Sequence, residues 1–201
     1  MTKRGAILFA ISWDATPKET PIFKSEADLY ETLRVVGGMF KGDHVEIGTR
    51  HGASAFVVAH ARPLAHIYCV DPLEKQIAND QYQGVQETGH SQKLRKSIEQ
   101  EGLTHQIILI QKYSLPWPLP KKQRFDTALI DGCHIHPIPM WEFELLSTIV
   151  DGAIVLDNID LSALIGCITK IRMTPGWVLE YTSRKVAVAW NEQWLLQTGR
   201  V

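Results

Sequence analysis

The chain has 201 residues, 45% of them hydrophobic and 21% charged, which fits one globular domain able to bury its own core. A formal net charge of −1 gives no basic field for nucleic acid or an anionic membrane, so neither is an expected partner. Cys69, Cys133 and Cys167 are widely spaced and form no C-x-x-C pair, and no apolar run approaches the ~20 residues of a membrane span.

Lys3-Arg4 followed by the apolar stretch Gly5 to Ser12 has a faint likeness to a signal peptide, but Trp13-Asp14 stand where small residues should precede cleavage. We read that stretch as a strand or docking segment and the chain as cytoplasmic. Residues 14–24 read as loop. Ser25 is placed to cap a helix reaching Gly37, with Leu29, Leu33 and Val36 on one face. A strand over 44–47 then meets Gly48, and Gly52 opens an apolar helix over 53–62 that Pro63 stops. Ala65 to Val70 is a second strand ending in Asp71-Pro72. Residues 72–91 are polar and aperiodic, a length that fits either a lid or a disordered loop.

A helix from Gln92 to Gly102 and a strand from Gln106 to Ile110 follow. Lys112 to Arg124 holds Pro116, Pro118 and Pro120, so the usual crossover helix is shortened or missing there. Phe125 to Ile130 is a fourth strand, Met140 to Val150 a helix, Asp151-Gly152 a turn, and Ala153 to Leu156 a fifth strand. Asp160 or Ser162 caps a helix ending near Met173. Residues 177–182 and 185–190 form a closing hairpin, and 191–201 are a helical turn or a tail. Alternating strands and helices predict an α/β fold: a doubly wound, mostly parallel, seven-stranded sheet with a C-terminal antiparallel hairpin. We expect one domain, with 43–190 as its core.

Each parallel strand ends in, or soon reaches, a polar residue: Glu46, Asp71, Ser114, Asp131, and Asp157-Asn158. In such a sheet these ends share one edge, where ligands bind. The junction Glu46-Ile47-Gly48-Thr49-Arg50-His51-Gly52-Ala53-Ser54 directs backbone N–H groups and a helix N-terminus at that edge. Its G-x-x-x-G spacing differs from the G-x-G-x-x-G of dinucleotide folds, and Glu46 favours a ligand bearing an amine or hydroxyls. Asp131, Asp157 and Asn158 offer two carboxylates and an amide oxygen, a donor set that suits a hard cation such as Mg²⁺. The same residues are equally compatible with ordinary turn and capping chemistry. His134 stands three residues past Asp131 as a candidate general base, with His136 and His51 as rivals.

Together these pieces resemble a class I S-adenosylmethionine (SAM) dependent methyltransferase, and more narrowly the metal-dependent O-methyltransferases of the catechol/caffeoyl-CoA and macrocin types. The resemblance spans about residues 43–190. It implies that Glu46, Gly48, Thr49, Gly52, Ser54 and Gly132 surround the cofactor, that Asp71 takes the ribose hydroxyls and that Ser114 borders the adenine. It further implies that Asp131, Asp157 and Asn158 hold a divalent cation, Mg²⁺ by preference, and that His134 is the base. Lys112-Tyr113-Ser114 departs from the more usual glycine-acid-serine run, and Asn158 stands where the macrocin type has a second acid. The implied reaction moves a methyl group to a hydroxyl of a small molecule. A metal-independent methyltransferase and a non-catalytic module of the same fold are the alternatives. Homo-oligomerisation stays open.

Overall fold

The computed structural model describes residues 20–73 and 89–200. The N-terminal apolar stretch and most of the 72–91 loop lie outside those residues. Seven strands form one sheet: β1 (His44–Ile47), β2 (Ile67–Val70), β3 (Ile107–Ile110), β4 (Phe125–Ile130), β5 (Val150–Leu156), β6 (Trp177–Tyr181) and β7 (Ala187–Asn191). Their order is β3-β2-β1-β4-β5-β7-β6. The first five run parallel, while β7 pairs antiparallel with both β5 and β6. The order reverses between β1 and β4, so the loops leaving those neighbours diverge and open a crevice at their carboxyl ends.

Six described helices cover the sheet: α1 (Thr20–Gly38), α2 (Ala53–Ala61), α3 (His90–Gln100), α4 (Ile138–Leu146), α5 (Ser162–Met173) and α6 (Glu192–Thr198). On one face Leu29, Leu33 and Val36 of α1 pack with the apolar run of α2 and with Leu94 and Ile98 of α3. On the other, Phe143 and Leu146 of α4 and Cys167 and Ile171 of α5 pack on Val45, Ile47, Ile130 and Ile154. No helix joins β3 to β4. Trp117 and Leu119 of that segment lie against the second face instead and take over part of a helix's packing.

Several local expectations are corrected. The first helix is already formed at Thr20, so Ser25 is interior to it rather than a cap; Pro21 suits a first turn, where its missing N–H has no intrahelical acceptor. Helix α4 ends at Leu146 and β5 begins at Val150, so Asp151-Gly152 is strand and not turn. The cause is long-range. Phe125 pairs with Val150 but Thr127 with Ala153, a bulge that takes up one extra residue. A Cβ at Gly152 would stand 2.1 Å from the Phe40 ring, so the glycine serves close approach. Neither Asp160 nor Ser162 caps α5; Leu161 occupies that position in an extended conformation.

The tail is a helix, α6, capped by Asn191, whose side chain accepts from the Gln193 N–H. Trp194 of α6 stacks on Phe40 at 4.5 Å and on Trp190 at 5.5 Å, docking the tail on its own core. At the amino ends of the strands, buried Arg62 donates to the carbonyls of Gly37 (2.7 Å) and Gly42 (3.0 Å) and to the Thr127 hydroxyl (2.6 Å). His44 Nδ1 lies 2.8 Å from that same hydroxyl. Burial and the Arg62 charge hold the His44 pKa well below its ordinary value.

Candidate active site

The glycine junction after β1 is shaped by Asp71 at the end of β2. Asp71 Oδ2 accepts from the N–H groups of Thr49 (2.8 Å) and Arg50 (3.0 Å), and Oδ1 accepts from that of Leu73 (2.6 Å). Those bonds hold Arg50 at φ +43°, between Gly48 at +87° and Gly52 at +83°. The two glycines adopt that region freely, so the strain falls on Arg50, a kind of outlier that clusters at functional loops. Gly52 precedes α2 and admits Leu94 of α3, whose Cδ1 would stand 2.6 Å from a Cβ there.

Gly48 and Gly132 press the β1 and β4 loops together. A Cβ on Gly132 would lie 2.9 Å from Ile47 Cγ2. The placement gives Gly132 a packing duty between the loops beside the cofactor contact inferred from resemblance. Glu46, fully buried in β1, faces Ser54, Thr49 and Cys69. Neither of its oxygens meets a partner at hydrogen-bonding geometry among the described residues. Burial pushes its pKa up to about 7, although the neighbouring hydroxyls and thiol pull the other way.

Asp131 and Asp157 extend from neighbouring strands whose last paired residues are Ile130 and Leu156, so the two carboxylates stand side by side. Asp157 is 5% exposed and its Oδ1 has no hydrogen-bond partner among the described residues. Burial and then Asp131 push its pKa up to about 7, and Glu26 of α1 adds further negative charge. The Asp131 pKa also moves up through burial, held back by His134 and Arg50. Asn158 follows at φ +54°, turning the chain so that its carbonyl accepts from the Leu161 N–H. A buried carboxylate with an orphaned oxygen, beside a second, partly exposed carboxylate, is a set rich in negative charge, and in that respect it fits a hard cation. Among the described residues no group of three or more His, Cys, Asp or Glu side chains forms a metal cluster. The set here is two acids and an amide.

His134 Nε2 lies 3.7 Å from Asp131 Oδ1, which brings the expected base to the expected acid. His136 goes elsewhere: it packs on α5, where a Cβ on Gly166 would meet its ring at 2.8 Å. Ser114 joins the site from the segment after β3, donating to Glu142 Oε1 at 2.5 Å. Glu142 is not among the candidates read from the sequence. It is 1% exposed, and burial pushes its pKa up to about 7 against the pull of Ser114 and His134. A signal existed: Pro139, Glu142, Phe143 and Leu146 make up the buried stripe of α4 at helical spacing, with one acid among them.

The family model described as a methyltransferase domain matches residues 45–159, from the first strand through both acids. The chain belongs to this methyltransferase family. With its sheet order, this makes it a class I SAM-dependent methyltransferase, as the resemblance implied. No curated protein matches the sequence. Solved structures share the fold at low identity. A cofactor-bound protein from MTB superposes with a TM-score of 0.68 at 17% identity, covering 94% of this chain and 89% of that one. An O-methyltransferase from Bacillus cereus in complex with SAH gives 0.62 at 13%, covering 94% and 90%. The O-methyltransferase TomG from Streptomyces achromogenes, involved in tomaymycin synthesis and in complex with SAM, gives 0.63 at 14%, covering 92% and 89%. No helix among the described residues is long and apolar enough to cross a membrane.

Proposed function

We propose that this methyltransferase moves a methyl group from SAM to a hydroxyl of a small molecule, with a divalent cation, Mg²⁺ by preference, at Asp131, Asp157 and Asn158. The observation that carries the proposal is the buried Oδ1 of Asp157, without a hydrogen-bond partner among the described residues, beside Asp131, with His134 3.7 Å from that second acid. When bound, SAM supplies an electrophilic methyl group, and the cation supplies a Lewis acid that acidifies the acceptor hydroxyl. Asp131, Asp157 and Asn158 would hold the cation, and His134 would take the hydroxyl proton at Nε2. The strained junction from Gly48 to Ser54, with Glu46 beneath it, would bind the methionine part, and Asp71 and Ser114 the nucleoside. Asp71 already accepts three N–H groups, yet a carboxylate has about four acceptor sites in all, so one stays open to a ribose hydroxyl. Acceleration comes mainly from holding acceptor and methyl in line.

Calorimetric titration of S-adenosylhomocysteine (SAH) with Mg²⁺, then with EDTA, tests the cofactor and the cation separately. Binding of SAH in both conditions, with a Mg²⁺ heat lost in Asp157→Ala, supports the proposal. The His134–Asp131 pair favours one other reading, a metal-independent transfer in which Asp131 orients His134 directly. Turnover unchanged by EDTA would select that alternative.

A further inference from the structure

We propose that Glu142 is a positioning residue for cofactor selection: by accepting the hydrogen bond of the Ser114 hydroxyl, it makes Ser114 an acceptor that requires a hydrogen-bond donor on the ligand, the exocyclic amine of adenine. This presupposes SAM at the site. The loop after β3 runs Lys112-Tyr113-Ser114 and carries no acid of its own. A carboxylate nevertheless reaches it from α4, across the segment that replaces the crossover helix, and the contact is short, 2.5 Å from Ser114 Oγ to Glu142 Oε1. The carboxyl is 1% exposed, and its second oxygen, Oε2, has no partner among the described residues.

A hydroxyl has one proton to give. With that proton committed to Glu142, Ser114 presents only lone pairs to anything bound above it. An ionised Glu142 can only accept, and a neutral one that carries its proton on the open Oε2 still accepts at Oε1, in keeping with the Ser114-to-Glu142 direction of the bond. An amine facing Ser114 is then favoured, and a carbonyl oxygen at the same place is repelled lone pair against lone pair. Sites built around a committed hydrogen bond discriminate far better than apolar ones, because the wrong ligand leaves a buried group unpaired.

The test compares SAH with S-inosylhomocysteine, in which a carbonyl oxygen replaces the amine, by calorimetry on the full chain. We expect the wild-type protein to prefer SAH by about tenfold or more. Ser114→Ala and Glu142→Leu should both lose most of that ratio. Glu142→Gln should keep it, since the amide oxygen can take the same proton. A role as a mere anchor for the crossover segment would lower the melting temperature of Glu142→Leu and leave the ratio unmoved. SAH binding with no wild-type preference, or with a ratio unchanged in Ser114→Ala, overturns this inference and leaves the methyltransferase reading intact. No SAH binding by the wild-type protein overturns both. Should Glu142→Leu fail to fold, Ser114→Ala decides.

Discussion

A Cβ placed on Gly48 would stand 2.2 Å from the carbonyl oxygen of Asp131, so the loops that follow β1 and β4 touch through bare backbone. That contact ties the geometry of one half of the site to the other. Gly48→Ala combines this overlap with a left-handed φ of +87°. We expect a loss of stability of about 2 kcal/mol or more. Loss of SAH binding should accompany it. Urea unfolding and calorimetry on the same preparation would check both.

Asp157→Asn removes a buried carboxylate that neighbours the partly exposed one of Asp131. In the folded protein the Asp157 pKa is pushed up to about 7, well above that of an unfolded chain. Between those values the native state binds the extra proton, so the wild-type protein without cation is penalised progressively as pH rises towards 7, and the penalty is complete above it. The variant should therefore be the more stable of the two at pH 8, by about 1–3 kcal/mol, with the gap closing at pH 5. Mg²⁺ should stabilise only the wild-type protein, increasingly with pH. Thermal unfolding with and without Mg²⁺ at both pH values reads this out.

His134→Ala should lower turnover by about 10²–10⁴-fold while SAH affinity changes little. His136→Ala should leave turnover within about threefold, since its ring packs on Gly166 of α5 while His134 is the one paired with Asp131. Equal losses in the two variants would remove His134 from the role of base.

His44 gives the opposite pH dependence from that of Asp157. Its folded pKa lies well below the ordinary value, so as pH falls below about 6.5 the unfolded chain takes a proton that the native state refuses. The stability that neutral His44 contributes is complete above that pH and is lost below it. Going from pH 7 to pH 5 should cost the wild-type protein about 2 kcal/mol more than His44→Asn. Measuring the difference between the two proteins cancels the carboxyl contributions common to both.

Much of this site is legible in the residue order because it is local. A strand, a glycine and an apolar helix follow one another from His44 to Ala61, and the sheet order then brings Asp131 beside Asp157. Ser114, by contrast, is found near Glu142 only once the unusual crossover is traced in space, and no spacing along the chain encodes it. Gly152 misled for the same reason. Asp-Gly is turn chemistry in isolation, and only Phe40, more than a hundred residues earlier, explains a glycine within a strand. His134 is ranked over its rival His136 in the sequence by its spacing from Asp131 alone. Packing on α5 separates them.

The prolines between β3 and β4 have a consequence for the unfolded chain. Pro116, Pro118 and Pro120 flank Trp117 and Leu119, the side chains that fill the place of a helix. Few backbone bonds support this stretch, those of Lys112 to Ile110 and Gln123 to Pro120 among them. Its order comes largely from ring geometry already present before folding, so little conformational freedom remains to be lost when Trp117 docks. Replacing Pro118 or Pro120 would leave the packing of Trp117 against the sheet in place and still weaken the fold by about 0.4–1 kcal/mol, through the freedom returned to the denatured ensemble.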